Sequence, residues 1–217
     1  MTTVEVICIV FGLGISYLIG SISPSIWIGR IFYGVDVRTK GSCNAGSTNT
    51  IRVLGLKAGI IVFIIDVFKG WFALFLSGFF VTPFLFESQL ELFNIASAAC
   101  VVLGHVFPIY EQFKGGKGVA TMLGVLIFLY HDIFAFLLII FVIVFLIWRY
   151  ISLGSITAAI FFPIIYYIYS TYISENFDIV LFTFASVVAI FIIITHRKNI
   201  GRLIKGEEKK FRFKKTE

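Results

Sequence analysis

Long apolar runs are the feature that most constrains how this chain can fold. Six of them reach the length of about 20 residues that a helix needs to cross about 30 Å of hydrocarbon. They lie at about residues 4–29, 57–82, 90–110, 133–150, 153–173 and 178–196. A seventh run, at about 118–131, is apolar but short. The pattern predicts an all-α integral membrane protein with seven transmembrane helices.

The composition supports a membrane protein. Only 14% of the 217 residues are charged and 59% are hydrophobic, whereas soluble domains carry about 25% charged residues. The first apolar run opens without a basic segment and is longer than the core of a signal peptide, so we expect it to be retained. Cys8, Cys43 and Cys100 have no disulfide or metal-site spacing. We expect one membrane domain over residues 1–217, ending in a charged tail at 208–217.

The charged residues between the apolar runs alternate in sign from loop to loop. One set of loops carries nearly all the Lys and Arg, including nine from Arg197 to Lys215. The other set carries acidic residues and no Lys or Arg, namely Glu5, Glu87, Glu91, Asp132, Glu175 and Asp178. By the positive-inside rule the N-terminus faces outward and the C-terminus is cytoplasmic. Because the excess positive charge lies beside membrane segments, we expect no nucleic-acid partner and assign the last dozen residues to contact with anionic lipid.

Three polar stretches fall on the predicted cytoplasmic side. The first, GSCNAGSTNTIR at 41–52, reads as a loop whose backbone N–H groups and side-chain donors could surround a phosphate. The second, FKGGKG at 113–118, precedes the short apolar run and could offer exposed amides, a helix N-terminus and the Lys117 ammonium to a phosphate. The third, HRKNIGR at 196–202, places His196, Asn199 and Arg202 on one helix face.

Other polar residues in the apolar segments have simpler interpretations. Asp66 and Lys69 are three residues apart within one helix, so we expect them to pair and to serve structure. His105 lies just before Pro108 and is expected to face the glycine-rich stretch. Ser152 follows Arg149 and reads as a helix N-cap.

Several familiar reaction centres are absent from the sequence. It contains no GxSxG elbow, no metal-ligand spacing, no paired cytoplasmic acids near the polar stretches, and no acid five residues after His105, where Tyr110 stands. With so few bases available, the chemistry should use an electrophile that is already activated. Binding and orientation of phosphate would then supply most of the catalysis.

The three stretches, extended to GSCNAGSTNTIR, GHVFPIYEQFKGGKGVAT and HRKNIGRLIKGEE, resemble in order and spacing the three motifs of the bacterial acyl-phosphate:glycerol-3-phosphate acyltransferases, the PlsY family. The resemblance covers essentially the whole chain. It implies transfer of a fatty acyl group from acyl phosphate to the sn-1 hydroxyl of glycerol 3-phosphate, giving lysophosphatidic acid and phosphate. It also implies a multi-pass protein of the bacterial inner membrane, with a cytoplasmic active site and no cofactor or metal. We expect a monomer, and the enzyme that makes acyl phosphate is a candidate partner.

The resemblance also implies roles for individual residues. Those around the donor phosphate and reacting carbonyl are Ser42, Asn44, Thr48, Gly115, Gly116 and Lys117. Those that hold glycerol 3-phosphate are Arg52, Lys117, Ser152, His196 and Asn199, with His105 and Asn49 supporting the site. We assign Lys117, Ser42, Asn44 and His105 to catalysis and the rest to substrate binding. Two positions depart from the usual GSGNxGATN pattern: Cys43 replaces a glycine, which would be strained at positive φ, and Ser47 replaces an alanine.

Acyl phosphate is a mixed anhydride with a good leaving group, so donors that stabilise the departing phosphate and the carbonyl oxyanion can suffice. The sequence leaves the proton acceptor open between a substrate phosphate oxygen and His105. A transporter for a phosphorylated metabolite is the main alternative, although no inverted repeat with broken helices is evident. An acyltransferase using acyl-CoA or acyl carrier protein is a further alternative, without a basic docking domain in its favour. A structural scaffold ranks lowest.

Overall fold

The computed structural model describes residues 2–211, without the side chains of residues 87 and 88. Within these residues the chain is helical and contains no strand. The α-helices are α1 Thr3–Ser21, α2 Pro24–Tyr33, α3 Ser47–Leu54, α4 Leu56–Val81, α5 Glu87–Val106, α6 Val119–Leu129, α7 Phe134–Trp148, α8 Ile151–Tyr172, α9 Ile179–Thr195 and α10 Arg197–Ile204. Short 3₁₀ turns cover Val37–Thr39 and Ile109–Glu111.

The first apolar run is broken, contrary to the continuous helix expected over 4–29. Helix α1 ends at Ser21 and α2 begins at Pro24. Proline has no amide hydrogen and disfavours helical geometry in the residue before it, so a helix begins readily at Pro24 but does not continue through it. The α2 helix ends at Tyr33, and the C-cap residue Gly34 has φ of 62°, a conformation that glycine adopts readily.

Within residues 2–211, four helical segments are long and apolar enough to cross a membrane, or five if the bent pair α9 and α10 counts as one span. The four are Thr3–Ser21, Leu56–Val81, Gln89–Glu111 and Ile151–Tyr172. Helix α6 has 11 residues and α7 has 15. At 1.5 Å per residue α6 extends only about 17 Å, well short of the hydrocarbon thickness. The seven crossings and the orientation of the termini therefore stay predictions.

The chain divides into two compact units, Met1–Leu129 and Tyr130–Glu217. In the first unit, α1 packs closely against α5 because glycine lies at their contact. A Cβ at Gly20 would collide with the backbone carbonyl of Val101, and one at Gly104 with that of Tyr17. Small residues at such contacts let helices approach closely in membranes, where the hydrophobic effect does not drive helices together.

In the second unit, α8 packs against α7 and α9, and the segment after α10 folds back onto the same unit. The Phe211 amide donates to the carbonyl of Arg149 at 2.7 Å, and its ring contacts that of Phe145. Glu208 is also buried. The expectation that the tail serves only lipid contact is therefore wrong for these two residues. The rest of the predicted tail, 212–217, lies outside the described residues.

Candidate functional site

The first polar stretch forms a loop and then a helix, rather than one continuous loop. Residues 41–46, here called the polar loop, lead into α3, so Thr48, Asn49 and Arg52 are helical residues. Ser42 and Arg52 are exposed, while Thr48 is half-buried. The stretch therefore presents its hydroxyls and cation from a short helix with a fixed direction.

Asn49 holds the polar loop in shape. Its side chain is only 1% exposed. The amide nitrogen donates to the carbonyls of Val37 and Lys40 at 2.7 and 3.1 Å, and the amide oxygen accepts from the Ser42 amide at 2.7 Å. Because both ends of this amide are bonded within the chain, we assign Asn49 to supporting the site rather than to direct substrate contact.

Two residues of the polar loop have positive φ. Gly41 has φ of 66°, and a Cβ there would collide with the amide oxygen of Asn49. Cys43 has φ of 57°, so it adopts the left-handed conformation that glycine would adopt without strain. Cys43 thus adopts a conformation that would be less strained for the glycine found at this position in the GSGNxGATN pattern.

Asn44 is the polar loop's unsatisfied acceptor. Its amide oxygen is buried and accepts no hydrogen bond from the described residues. A buried acceptor without a donor costs free energy on the order of 1–3 kcal/mol, and such atoms often mark a ligand site. A ligand hydroxyl is the kind of donor that this oxygen lacks.

The second polar stretch, residues 113–118, here called the glycine loop, packs back onto the end of α5. The Gly115 amide donates to the carbonyl of Val106 and the Gly116 amide to that of His105, both at 3.1 Å. These two amides are therefore already bonded, and the exposed cradle expected from them is not what the structure shows. The positive charge of Lys117 and the N-terminal turn of α6 are the features of this stretch that suit a phosphate.

Close packing explains the two adjacent glycines. A Cβ at Gly115 would collide with the His105 carbonyl. A Cβ at Gly116 would collide with the His105 ring and would lie 2.7 Å from the Ala45 carbonyl oxygen. The glycines thus allow the glycine loop to contact both His105 and the polar loop, bringing the first two motifs together in one unit.

His105 belongs to a buried polar network that includes Asp66 and Lys69. Its Nδ1 lies 3.0 Å from the hydroxyl of Thr121 and 3.3 Å from Asp66 Oδ1. Asp66 pairs with Lys69 at 2.9 Å, which confirms that pairing, and the Lys69 ammonium also donates to the carbonyl of Ile22 at 2.6 Å. The network orients the His105 ring whose other edge packs against Gly116.

In the second unit, the third polar stretch gathers around Glu208. The buried carboxylate accepts from the Ser152 hydroxyl at 2.8 Å, the Asn199 amide at 2.7 Å and Arg202 Nε at 2.6 Å. Burial alone would raise the pKa of Glu208, but these hydrogen bonds, from Arg202, Asn199 and Ser152, outweigh it and lower the pKa. Asn199 and Arg202 thus share a face as predicted, whereas the N-cap of α8 is Tyr150 rather than Ser152.

Sequence reasoning missed Glu208, and the available signal was weak. Glu207 and Glu208 are adjacent acids in a basic tail, and the pair directly follows Gly206. The φ of 71° at Gly206 marks a turn after α10. Glu207 is exposed. Only the fold distinguishes the buried acid from the exposed one.

His196 lies at the 60° bend between α9 and α10. Its side chain is 3% exposed, and Nδ1 lies 2.8 Å from the carbonyl of Ile192. Because a carbonyl can only accept, Nδ1 donates to it, and this hydrogen bond fixes the orientation of the ring.

Comparison with known proteins decides the family. The family model described as glycerol-3-phosphate acyltransferase matches residues 10–206. The chain belongs to this family. It is 43% identical over 199 residues to the glycerol-3-phosphate acyltransferase of Fusobacterium nucleatum, covering 92% of this chain and 96% of that one. The Staphylococcus haemolyticus enzyme is 42% identical, with 94% and 98% coverage.

Solved structures give the same result. The glycerol 3-phosphate form of PlsY, an integral membrane glycerol 3-phosphate acyltransferase, has a TM-score of 0.81 and 34% identity, covering 94% of this chain and 96% of that chain. The lysophosphatidic acid form has a TM-score of 0.78 and 33% identity, with the same coverage. The chain is thus a membrane glycerol-3-phosphate acyltransferase of the PlsY type.

Proposed function

We propose that this protein transfers a fatty acyl group from acyl phosphate to the sn-1 hydroxyl of glycerol 3-phosphate. The products are lysophosphatidic acid and inorganic phosphate. The observation that carries the proposal is the contact of the polar loop with the glycine loop at Ala45 and Gly116, which joins the first two motifs in one unit. The likeness to a PlsY in glycerol 3-phosphate and lysophosphatidic acid forms supports the acceptor and product.

Residues of the first unit suit a phosphate and a reacting carbonyl. Lys117 supplies a cation at the end of a loop fixed by backbone hydrogen bonds, and α6 begins two residues later. Positive groups held in place before the reaction stabilise charge that develops on the leaving phosphate and the carbonyl oxygen. To the binding of the acyl donor, acyl phosphate, we assign Ser42, Asn44, Thr48, Gly115, Gly116 and Lys117. The two glycines contribute by allowing the glycine loop to pack closely.

The acceptor requires groups that bind its phosphate and its hydroxyls. Arg52 and Lys117 supply positive charge for the phosphate. The unsatisfied amide oxygen of Asn44 can accept a hydrogen bond from a hydroxyl of glycerol 3-phosphate. We assign Ser152, His196 and Asn199 to glycerol 3-phosphate because the third motif and Ser152 resemble the family pattern. Within the second unit, Glu208 fixes Ser152 and Asn199, and the Ile192 carbonyl fixes His196.

We propose that a phosphate oxygen of the substrate accepts the proton of the attacking hydroxyl. His105 is the second candidate, but its Nδ1 is already engaged with Thr121 and Asp66. If His105 were the base, His105→Ala would remove the acidic limb of the pH–rate profile along with most of the rate. A retained profile would assign proton transfer to the substrate.

The donor and the reaction class are tested together by phosphate release. Purified protein in lipid vesicles receives palmitoyl phosphate with glycerol 3-phosphate, with glycerol, or with no acceptor, and palmitoyl-CoA replaces the donor in a parallel series. We expect release only with palmitoyl phosphate and glycerol 3-phosphate together, with lysophosphatidic acid as product. Equal turnover with palmitoyl-CoA would overturn the donor assignment, and no turnover by folded protein would favour transport.

We also propose that the chain crosses the inner membrane seven times, with the polar loop and the glycine loop facing the cytoplasm. Cys43 is exposed in the polar loop and serves as a native reporter. In intact cells a membrane-impermeant thiol reagent should leave Cys43 unlabelled but should label a Ser174→Cys variant in an outer loop. Labelling of Cys43 before lysis would reverse the orientation.

A further inference from the structure

We infer that Arg38 is a positioning residue for the glycine loop and that its guanidinium fixes the chain segment which presents Lys117. The inference rests on the proposed function, because it assumes that Lys117 binds a substrate phosphate. Arg38 lies outside the three polar stretches, three residues before Gly41. Its role follows from the atoms that it contacts.

The guanidinium bridges two carbonyls of the segment leading into the glycine loop. Arg38 Nη1 donates to the Glu111 carbonyl at 3.2 Å and to the Lys114 carbonyl at 3.1 Å. Between these carbonyls lie Gln112 and Phe113, with φ of 55° and 58°. Two successive non-glycine residues in the left-handed region are both strained. Such a conformation persists only where its surroundings fix it, and Arg38 ties both of its ends.

Arg38 is itself held in place by acids. Asp36 accepts from Arg38 Nε at 3.1 Å and from Nη2 at 2.8 Å, a paired arrangement that fixes the plane of the guanidinium. The hydrogen bonds from Arg38 hold the pKa of Asp36 well below its usual range, so this acid stays charged. The Glu111 carboxylate lies 3.4 Å from Nη2.

Glu111 is also fixed from another direction. Its side chain is 5% exposed and accepts from Trp27 Nε1 at 2.9 Å and from Arg30 Nη1 at 3.0 Å. The start of the segment is therefore anchored through its side chain, and its end at Lys114 is held through Arg38. Arg30 pairs with the carboxylates of Asp36 and Glu111, whereas Arg38 also donates to main-chain carbonyls.

This division of contacts supplies a matched pair of variants. Lysine keeps the charge of arginine but offers one nitrogen in place of a planar fork, so it cannot satisfy two carbonyls and a paired carboxylate together. In Arg38→Lys we expect kcat/KM to fall about ten- to a hundredfold, mostly through kcat, because a displaced Lys117 would stabilise the departing phosphate less well. In Arg30→Lys both constants should stay within about threefold.

Hydrogen exchange tests the conformation of the glycine loop independently of enzyme activity. Hydrogen exchange of peptides covering residues 108–120 should be faster in Arg38→Lys than in wild type or Arg30→Lys, with thermal unfolding similar in all three. If Arg38→Lys exchanges faster than wild type but wild type shows no turnover with palmitoyl phosphate and glycerol 3-phosphate, the proposed function fails while the positioning role stands. The positioning role fails if Arg38→Lys exchanges like wild type or keeps its kcat/KM.

A second substitution at Arg38 keeps the inference testable if Arg38→Lys does not fold. Arg38→Gln, which keeps a donor for one carbonyl, is therefore measured in the same way and should show the same faster exchange. If neither Arg38 variant folds while Arg30→Lys does, Arg38 serves the whole fold rather than the glycine loop, and the inference is overturned.

Discussion

The glycine loop and the cluster around Glu208 hold their site residues by different means. In the glycine loop the restraints are backbone hydrogen bonds and contacts too close for a side chain, as at Gly115 and Gly116. Around Glu208 one buried carboxylate gathers a hydroxyl, an amide and a guanidinium. The first arrangement should therefore break when volume is added, and the second when charge is removed.

The largest effect is expected where the glycine loop presents its cation. Lys117→Ala removes the charge that would stabilise the leaving phosphate, and loss of one such donor typically costs on the order of 10²–10³ in rate. We expect turnover to fall by at least about that factor, measured as phosphate release in vesicles. Lys114→Ala is the matched control, because its exposed side chain lies three residues earlier and should matter little. An active Lys117→Ala protein would refute the site assignment.

Adding one methyl group tests the steric half of the comparison. Gly116→Ala places a Cβ against the His105 ring and the Ala45 carbonyl, so the glycine loop must move. Because a displacement of about 1 Å can cost about a hundredfold in rate, we expect a loss of that order in kcat/KM. Gly14→Ala, where nothing lies within 4 Å, should keep normal activity. Equal behaviour of the two variants would show that close packing at Gly116 is unimportant.

Removing charge tests the electrostatic half. Glu208→Gln keeps the shape of the side chain but weakens its hydrogen bonds, each worth roughly 1.5–3 kcal/mol when one partner is charged. We expect kcat/KM for glycerol 3-phosphate to fall about tenfold as Ser152 and Asn199 lose their fixed orientation. The neighbouring Glu207→Gln, at an exposed position, should have little effect. If both changes were equally harmful, the tail's overall charge would be responsible.

The same cluster predicts a pH dependence of stability. Because the pKa of Glu208 is lower in the folded protein than in the unfolded chain, its carboxylate stabilises the fold above the unfolded pKa of about 4.3. That contribution is lost as pH falls through the lowered pKa. Thermal unfolding of wild type should therefore approach that of Glu208→Gln below about pH 4. A stability difference that is constant from pH 7 to 3.5 would contradict this linkage.

The sequence was sufficient for features that depend on local spacing. It identified the membrane class, the three polar stretches and the pairing of Asp66 with Lys69, because these follow from apolar run length and helical periodicity. It could not show that the glycine amides bond to the carbonyls at 105 and 106, since that depends on how the chain folds back. The partners of Asn49 and the burial of Glu208 could not be predicted for the same reason, because they depend on backbone or side-chain groups that the fold brings near.

The smallest effect is expected at Cys43, which separates backbone restraint from side-chain chemistry. Cysteine at φ of 57° is strained by about 1–2 kcal/mol, and glycine would relieve that strain while losing about 0.5–1 kcal/mol in chain entropy. Cys43→Gly should therefore raise the unfolding temperature by at most about 6 °C and leave kcat/KM near normal. Cys43→Ala keeps the Cβ and should show no gain in stability. If both variants lost activity, the thiol would take part in the site; if only Cys43→Gly did, the polar loop would depend on the restraint that a side chain supplies.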